Sequence, residues 1–517
     1  MKIAIINPNL LGSISGLDMG IAYTATYIDE RTTHNVKIVD LSFHRRTWKR
    51  YMRKKLKEFN PDVIGISIVS PYFDYSKRVA KEVRRYCDKP IIVGGHHPTL
   101  KPEECIAVHE FDAAIIGDGE YTITECLDRL ERGESLKGVE GIWFKENGLV
   151  TKNEKRAVIA DIDSLPIPNY DLWEDLDKYF YYMQRLYFYG VRGCAYACTY
   201  CNEFSLSRVN KGKRYRMREP REYAREMKYQ FEKYKDRGMV AGHIFDAIFT
   251  FDHEWLAEFS DEYKKLGLAV QLPYTCFIKA DKKCSKEEDV KLLAESGCLQ
   301  VRFGLESGSE YIRRKIMLKG ASTNEEIIDY VKLYKKYGLV TKCYNILGCP
   351  GEKKEDIMAT YNLNKEVGVE YPIFFTYIPL PGTAMAEMAE SVNEESKYSF
   401  HFGEAIKLEG VPKNFVTKVQ RKCYMYFMPR VFWRVFKNNP FGLLRMLIPR
   451  IIRALIIGAK TRIVIGYTLN SPYFWKKQAI QNRIQAEKAG FVFDTAKERK
   501  DSSLFVVNLP AAQVATH

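Results

Sequence analysis

The chain has 517 residues, of which 46% are hydrophobic and 28% charged, so it is long enough for two to four domains with buried cores. Its 12 cysteines are scattered and Met1-Lys2 leads directly into an apolar strand, which argues against a secreted disulfide framework and a signal peptide and favours the cytoplasm. The net charge is +15, and by count the window from Gly410 to Ala486 contains fifteen Lys and Arg but no Asp or Glu. The basic character therefore belongs to the C-terminal part of the chain, which requires an acidic partner.

Residues 1–135 alternate short apolar strands with helices. The predicted strands are Lys2–Asn7, Lys37–Asp40, Val63–Ser67, Pro90–Val93 and Ala113–Ile116, and the predicted helices are Tyr75–Tyr86 and Thr122–Leu130. Continuous apolar strands joined by crossover helices are typical of a parallel sheet that is buried on both faces. We therefore predict an α/β domain with a doubly wound, Rossmann-like parallel sheet.

Turns that can approach a ligand follow three of these strands. They are Ser70-Pro71, Gly94-Gly95 and Gly117-Asp118-Gly119-Glu120. Ligands of doubly wound sheets bind at the carboxyl ends of the strands, where glycine lets the backbone come close to them. The alternative is that these glycines serve only tight packing turns.

Residues 136–185 are predicted to connect two domains. A small hairpin is expected around Asn147-Gly148, because the flanking residues 141–144 and 149–151 favour strands. Residues 161–170 include Pro166 and Pro168, which favour an extended linker.

A group of three thiols follows the next predicted strand, Leu186–Val191. Cys194, Cys198 and Cys201 have the spacing CxxxCxxC, and thiolates are ligands for iron or zinc. No Cys or His follows closely enough to complete a local set of four ligands. Two interpretations stay open: a zinc site with a distant fourth ligand, and an iron–sulfur cluster whose open iron binds a small chelating molecule.

Strands and helices continue to repeat over residues 186–387, which predicts a barrel-like parallel sheet. The further predicted strands are Ala241–Phe245, Val270–Pro273, Val301–Gly304, Lys342–Ile346 and Phe374–Ile378, with a helix at Pro220–Tyr234. Two carboxylates, Asp246 and Glu306, lie at strand ends, where the active site of such a barrel is expected. An N-cap role for Asp246 and a surface position for Glu306 are the alternatives.

The thiol motif, with Tyr200 before the last cysteine and Arg192-Gly193 before the first, resembles the radical SAM family. The resemblance implies a partial TIM-type barrel and a [4Fe–4S] cluster on Cys194, Cys198 and Cys201, which cleaves S-adenosylmethionine (SAM) to a 5′-deoxyadenosyl radical. It also implies that Asp246 serves the amino end of SAM and that Glu306 holds the ribose hydroxyls. Tyr200 is expected among the cofactor-binding residues.

The N-terminal motifs resemble the cobalamin-binding domain that precedes many radical SAM domains. They occur in the order Gly16–Tyr23, Gly65–Ser67, Gly94–Thr99 and Gly117–Glu120. The resemblance implies cobalamin contacts from Ser70, Gly94, Gly95, Gly117, Gly119 and Glu120. The signature Asp-x-His-x-x-Gly is absent from the sequence, so we expect no lower histidine ligand to cobalt and assign neither His96 nor His97 to it.

Residues 388–517 are predicted to form a basic, mainly helical module. Phe441–Lys460 combines apolar residues at helical spacing with Arg445, Arg450 and Arg453, which interrupt any apolar run long enough to span a bilayer. A basic amphipathic helix at an anionic membrane surface fits this pattern, and a helical cap on the barrel is the alternative. Nucleic acid is an unlikely partner, because no RNA-binding module is recognised.

Taken with the resemblance, these features predict methylation of an unactivated carbon, with methylcobalamin as the donor. The basic tail favours an apolar lipid, isoprenoid or tetrapyrrole as the substrate and a peripheral position at the inner face of the membrane. The alternatives are a radical SAM cyclase or oxidative rearrangement enzyme without net methylation, and a non-enzymatic cobalamin or metal carrier. An electron donor of the flavodoxin or ferredoxin type is expected, and no catalytic acid or base can be assigned.

Overall fold

The computed structural model describes residues 1–11, 16–389, 404–457 and 461–488. Within them the chain forms a seven-stranded sheet, a six-stranded sheet and a group of C-terminal helices. The expected fold class, α/β with a helical C-terminal module, is confirmed.

The first sheet has the strand order β2-β1-β3-β4-β5-β6-β7. Its strands are Lys2–Asn7 (β1), Asn35–Asp40 (β2), Val63–Ser67 (β3), Ile91–Gly94 (β4), Ala113–Ile115 (β5), Ile142–Glu146 (β6) and Leu149–Lys152 (β7). The first five strands are parallel, whereas β6 pairs antiparallel with β5 and β7 antiparallel with β6. The hairpin around Asn147-Gly148 is therefore present, but it extends the N-terminal sheet, because β6 supplies the partner that the edge of β5 lacks.

Helices cover both faces of this sheet. They are Met19–Arg31 (α1), Trp48–Phe59 (α2), Phe73–Val83 (α3), His96–Leu100 (α4), Pro102–Ile106 (α5) and Glu120–Glu131 (α6). The side chains of α1 and α6 pack with Ile3 and Ile5, whereas those of α2 and α3 pack with Ala4 and Ile6 of the same strand. Because alternate residues of β1 are buried on opposite faces, the sheet is doubly wound as predicted.

The second sheet is a partial barrel of six parallel strands. The elements from the connector onwards are Leu176–Met183 (α7), Arg185–Phe188 (β8), Val191–Arg192 (β9), Asn202–Val209 (α8), Arg216–Met217 (β10), Pro220–Tyr234 (α9), Ala241–Ile244 (β11), His253–Lys265 (α10), Leu268–Gln271 (α11), Tyr274–Phe277 (β12), Glu287–Glu295 (α12), Cys298–Glu306 (β13), Asn324–Lys336 (α13), Val340–Leu347 (β14), Lys354–Val367 (α14), Tyr371–Thr376 (β15) and Ala384–Glu387 (α15). The strand order in the barrel is β15-β14-β13-β12-β11-β8. Strands β9 and β10 form a separate two-stranded ribbon, and the segment 193–201, which contains the three cysteines and is called the thiol loop below, follows β9.

The strand predicted at Val270–Pro273 is wrong. Residues Leu268–Gln271 form the short helix α11, and the barrel strand begins at Tyr274. Leu268 and Leu272 are buried whereas Val270 is half-exposed, so the apolar spacing is that of a helical turn. The predicted strand Leu186–Val191 is also divided, because the chain leaves the barrel after Phe188 to form β9.

Four further helices close the end of the barrel at which its strands begin. They are Phe415–Asn438 (α16), Pro440–Ile457 (α17), Thr461–Leu469 (α18) and Pro472–Lys488 (α19). Trp475 of α19 is buried in one cluster with Ala241 and Val340, and Arg483 donates from Nη2 to the carbonyls of Ala294 and Cys298 at 2.8 and 3.0 Å. Helices α17 to α19 and the C-terminal half of α16 therefore form a cap at the N-terminal ends of the barrel strands, whereas the N-terminal half of α16 packs along the edge strand β15.

Candidate functional site

The thiol loop is fixed in place between β9 and α8. Gly193 has a φ of +87°, and a Cβ there would lie 2.0 Å from the carbonyl oxygen of Arg214, so this position requires glycine. The Thr199 amide donates to the Met317 carbonyl at 3.0 Å, and the Thr199 hydroxyl donates to the Ile316 carbonyl at 2.6 Å. The loop is thus tied to the segment after β13 on one side and to the β9–β10 ribbon on the other.

The three thiols lie in one loop but are not arranged as a preformed zinc site. Cys198 is buried, and Cys194 and Cys201 are partly buried next to it. Among the described residues, the one group of three potential ligand atoms that all lie within 4.8 Å of one another belongs to His253, Glu288 and Asp289, not to the cysteines. Tetrahedral zinc would hold thiolate sulfurs roughly 3.8 Å apart, because each Zn–S bond is about 2.3 Å long. The sulfur atoms of the three cysteines do not all lie within 4.8 Å of one another, so they do not meet this condition.

Glu306 ends β13 next to this loop, as the sequence predicts. The Tyr200 hydroxyl donates to Glu306 Oε1 at 2.9 Å, and Lys319 Nζ donates to the same oxygen at 3.3 Å. Glu306 has a left-handed φ of +68°, and its side chain folds back over Gly304, where a Cβ would lie 1.8 Å from Oε1. Burial and the neighbouring carboxylate raise the pKa of Tyr200 well above its usual value, so its hydroxyl remains a donor. Two predicted residues therefore meet, and Lys319, which the sequence analysis missed, holds the carboxylate as an ion pair.

Asp246 lies at the end of β11 and is fully buried. Its Oδ1 accepts from the amides of Gly190 and Val191 at 2.7 and 2.9 Å, so it holds the start of the segment that leads to the thiols. Burial raises the pKa of Asp246 to about 8, because it outweighs the two backbone hydrogen bonds. Its Oδ2 has no hydrogen-bond partner in the part of the chain that the structure describes. A contact with the amino end of SAM stays a prediction.

A cavity of about 530 Å³ separates the carboxyl ends of the first sheet from the mouth of the barrel. Five of the residues predicted to bind cobalamin line it, namely Gly94, Gly95, Gly117, Gly119 and Glu120. At Gly94 and Gly119 an added Cβ would have no neighbour nearer than 3.8 Å, so these two glycines leave room on the side of the cavity. Gly95 is required by the backbone as well, since its φ is +108° and a Cβ would lie 2.9 Å from the Ile68 carbonyl oxygen. A large cavity lined by bare backbone fits cobalamin.

Ser70 does not belong to the lining of this cavity. It is buried, and its hydroxyl lies 3.1 Å from Nδ1 of His97, which is also buried. His96, by contrast, is among the lining residues. A contact between Ser70 and cobalamin therefore stays a prediction.

Ion pairs join the cavity to the thiol loop. Arg192 donates to Glu120 Oε1 at 2.6 Å and lies 3.6 Å from Asp118, and Arg216 donates to Asp118 at 2.5 Å. Burial disfavours the charged guanidinium, but Glu120 and Asp118 reverse this effect and raise the pKa of Arg192 above its usual value. The sequence analysis used Arg192 only as part of the thiol motif and did not predict these ion pairs, because nothing in the sequence shows that the β9–β10 ribbon lies beside the turn after β5. Glu120 consequently has a structural role in addition to the predicted cofactor contact.

The comparisons with known proteins agree with this geometry. The family model of the radical SAM superfamily matches residues 189–363, and that of the B12 binding domain matches residues 15–127. An uncharacterized methyltransferase of Pyrococcus horikoshii, PH0819, is 31% identical over 88% of this chain and 98% of its own length. The cytidylyl-2-hydroxyethylphosphonate methyltransferase of Streptomyces wedmorensis is 26% identical over 64% of this chain and 67% of its own length.

A solved structure shows the same fold. The radical S-adenosylmethionine methyltransferase TsrM of Kitasatospora setae, with cobalamin and a [4Fe-4S] cluster bound, superposes with a TM-score of 0.62 at 19% identity, covering 74% of this chain and 76% of the TsrM chain. The thiol loop, the glycine-lined cavity, the two family models and the relative of nearly equal length lead to one conclusion. The chain belongs to the cobalamin-dependent radical SAM enzymes, whose cofactors are a [4Fe–4S] cluster, SAM and cobalamin.

Proposed function

We propose that this enzyme methylates an unactivated carbon of a largely apolar substrate. The observation that carries the proposal is that one cavity is lined by both cofactor regions: Gly94 and Gly117 of the first sheet, and Arg192 and Gly193 of the segment that leads to the thiols. When bound, the cluster and SAM supply a radical that removes a hydrogen atom, and cobalamin supplies a methyl group. A substrate at the barrel mouth is then within reach of both.

The polar side chains around this mouth hold other protein groups in place. We assign none of them a role as an acid or base at the reacting carbon. Tyr200 and Lys319 orient the Glu306 carboxylate, which leaves its other oxygen to accept hydroxyl donors such as those of a ribose. Asp246 fixes the backbone before the thiols through two amide hydrogen bonds. Such positioning is what a radical reaction requires of a protein, because hydrogen abstraction depends on the distance between the reacting atoms.

The inner wall of the barrel supports an apolar substrate body. Aromatic side chains follow one another across the strands, at Tyr187, Phe245, Phe277, Tyr344 and Phe375. Their ring centroids lie 5.4 to 6.5 Å apart from one to the next, and Phe375 is 40% exposed. A continuous aromatic surface that is partly open favours the burial of a hydrocarbon or a conjugated ring.

The test of the reaction is a count of the products of SAM. Anaerobically reconstituted protein with cobalamin, reductant and a cell lipid extract is expected to form both S-adenosylhomocysteine and 5′-deoxyadenosine. The Cys198→Ala variant is the control, and it should form neither product in an extract-dependent way. Extract-dependent 5′-deoxyadenosine without S-adenosylhomocysteine would favour cyclisation or oxidative rearrangement, and no cleavage of SAM would favour a carrier.

We also propose that an anionic membrane surface binds the C-terminal cap. No helix within the described ranges has both the length and the apolar character needed to cross a bilayer. Helix α17, however, buries Leu443, Met446 and Ala454 and exposes the opposite apolar stripe. The exposed members are Phe441, Leu444, Ile448, Ile452, Leu455 and Ile456. An uncovered apolar stripe on a monomer is typical of an interaction surface.

Charge complementarity selects lipid as the occupant of this stripe. Arg445 and Arg453 are exposed on the same helix, and the sequence from Gly410 to Ala486 contains no acidic residue that could balance them. Helix α16 adds Trp433, which is 64% exposed, and tryptophan is favoured at lipid headgroups. Apolar residues that enter the headgroup layer, with arginines beside anionic lipids, satisfy both features.

Vesicle flotation of the full chain tests this membrane face. We expect binding to vesicles of phosphatidylglycerol and phosphatidylcholine, and weaker binding to phosphatidylcholine alone. Ile448→Asp combined with Ile452→Asp should weaken binding by roughly tenfold or more, since burying these two half-exposed side chains contributes about 2 kcal/mol. Leu149→Asp in the β6–β7 hairpin is the matched control, because Leu149 is 73% exposed but distant from the cap. Dimerisation through α17 without vesicle binding would contradict the proposal.

A further inference from the structure

Four basic side chains face the interior of the barrel below the aromatic surface. Arg185 belongs to β8, His243 to β11, Arg302 to β13 and Lys342 to β14, and each is less than a tenth exposed. Arg302 and Lys342 are direct partners in the register of β13 and β14. Tyr187 and Phe245 lie two positions after Arg185 and His243, on the same face of their strands. These basic side chains therefore form a layer deeper in the barrel than the aromatic rings.

No acidic side chain balances this layer. Within residues 1–11, 16–389, 404–457 and 461–488, no carboxylate lies within ion-pair distance of Arg185, Arg302 or Lys342, although the same chain pairs other buried arginines such as Arg192 and Arg216. Burial and mutual repulsion lower the pKa of Lys342 well below its usual value and that of Arg302 to about 10. Buried cations without a counter-charge are costly, and an anion from elsewhere would offset this cost and favour the charged form of Lys342.

The hydrogen bonds of Arg302 leave its Nη2 nitrogen for that anion. Its Nε donates to Thr275 Oγ1 at 3.0 Å and to Gln300 Oε1 at 3.1 Å, and its Nη1 faces His243 Nε2 at 3.0 Å. Since a guanidinium can only donate, Nε2 of His243 accepts and the imidazole is neutral. Arg302 Nη2 is buried and makes no hydrogen bond in the described part of the molecule. The guanidinium is thus held through Nε and Nη1, and Nη2 is without a partner among the described residues.

The depth of the layer suits one end of an elongated ligand. The Glu306 side chain folds back over Gly304, which follows Arg302 by two residues on β13, so Arg302 lies about 7 Å below that carboxylate at 3.3 Å per residue. The cap closes the barrel beneath it, where Gln300 Nε2 lies 3.5 Å from Asn470 Oδ1. A ligand that enters past the aromatic surface would therefore bring its far end to the cations.

We propose that this layer binds a phosphoryl group at the deep end of the substrate, so that the substrate is an amphiphile with an apolar body at the aromatic rings and an anionic head at Arg302 and Lys342. A phosphoryl group carries close to two negative charges at neutral pH and three acceptor oxygens, which match the Nη2 nitrogen of Arg302 and an ammonium. The assignment to the substrate rests on the proposed function. The anion site itself does not, because it is defined by residues that hold neither the cluster nor cobalamin.

The test is the thermal unfolding of the full chain with inorganic phosphate at constant ionic strength, with chloride as the reference. Phosphate is expected to raise the unfolding midpoint in a saturable manner. Lys342→Met and Arg302→Gln should both abolish this rise, and Lys342→Met without phosphate should be at least as stable as the parent, since a buried amine without a counter-charge is replaced by an apolar side chain. Lys332→Gln is the matched control, because Lys332 is exposed and pairs with Asp329. No rise in the parent, or an equal rise in Lys342→Met, would overturn the anion site.

The source of the anion is tested with decyl phosphate below its micellar concentration. If the site receives the head of an apolar substrate, decyl phosphate should half-saturate the shift at a concentration at least tenfold lower than inorganic phosphate. Phe277→Ala should reduce that advantage and leave the effect of inorganic phosphate unchanged. Equal half-saturation by the two probes would overturn the assignment to the substrate. Neither measurement involves methyl transfer, so failure of the methylation assay leaves these outcomes interpretable.

Discussion

Replacing Gly304 by alanine separates the function of the Glu306 carboxylate from the stability of the barrel. The added Cβ would lie 1.8 Å from Glu306 Oε1 and 2.7 Å from Lys319 Nζ, so both side chains must move. These atoms are the ends of flexible chains and a strand tolerates alanine, so the barrel should still fold, and we expect the free energy of unfolding to fall by about 1–3 kcal/mol, the cost of the lost buried hydrogen bonds. The carboxylate, however, loses its hydrogen bonds from Tyr200 and Lys319 at 2.9 and 3.3 Å.

The expected loss of affinity for SAM follows from the hydrogen bonds that depend on the orientation of the Glu306 carboxylate. A hydrogen bond to a charged group contributes about 1.5–3 kcal/mol, and one misplaced carboxylate removes at least one such bond to a ribose hydroxyl. The Kd for SAM, measured by equilibrium dialysis of iron-loaded protein under anaerobic conditions, should therefore rise by roughly tenfold to a hundredfold. Gly466→Ala is the control, because a Cβ at Gly466 meets nothing within 4 Å. An unchanged Kd in a folded Gly304→Ala protein would refute a role for Glu306 in binding SAM.

Three further predictions address the loop, the ion pairs and the pH dependence. The Cys198→Ala variant should retain about a third or less of the iron and labile sulfide of the parent protein, because two thiolate ligands do not hold a cluster. Loss of the metal with retention of the sulfide would contradict a cluster. Arg192→Gln should weaken the retention of cobalamin during gel filtration and destabilise the protein by about 1–3 kcal/mol, because Glu120 remains buried with its 2.6 Å partner lost; unchanged urea unfolding would contradict this. Between its ordinary pKa of 3.8 and the raised value of about 8, folded Asp246 retains a proton that the unfolded chain releases, so the stability of the cofactor-free protein should fall as pH rises through this range. Asp246→Asn should flatten that slope in urea titrations, and an unchanged slope would assign it to other groups.

Contiguous motifs were the part of the site that the sequence could predict. The three cysteines and Tyr200 lie within eight residues, so their proximity needs no knowledge of the fold. Glu306 was found because a strand end in a parallel barrel is a known position for such a group. Lys319 reaches Glu306 from a later segment of the barrel, and the pairing of Arg192 with Glu120 follows from the packing of the two domains, and no local pattern contains either.

The cationic layer could not be predicted for a different reason. In β13 eight of the nine residues are buried, so the alternation that distinguishes the inner from the outer face of a strand is absent from the sequence. Arg302 and Lys342 therefore resemble isolated charges until the register places them side by side. The C-terminal module shows the same limit, because helical spacing predicts α17 but not which of its two apolar stripes the barrel covers.

The most direct test of the central claim uses SAM with a trideuterated methyl group. Reconstituted protein is incubated with cobalamin, reductant and lipid extract, and the extract is compared by high-resolution mass spectrometry before and after reaction. If the enzyme methylates carbon, the product has one carbon-bound hydrogen replaced by a trideuteromethyl group, and it forms in step with S-adenosylhomocysteine and 5′-deoxyadenosine. The Cys198→Ala variant should not form this product. Formation of 5′-deoxyadenosine with a product that carries no deuterated methyl group would contradict C-methylation.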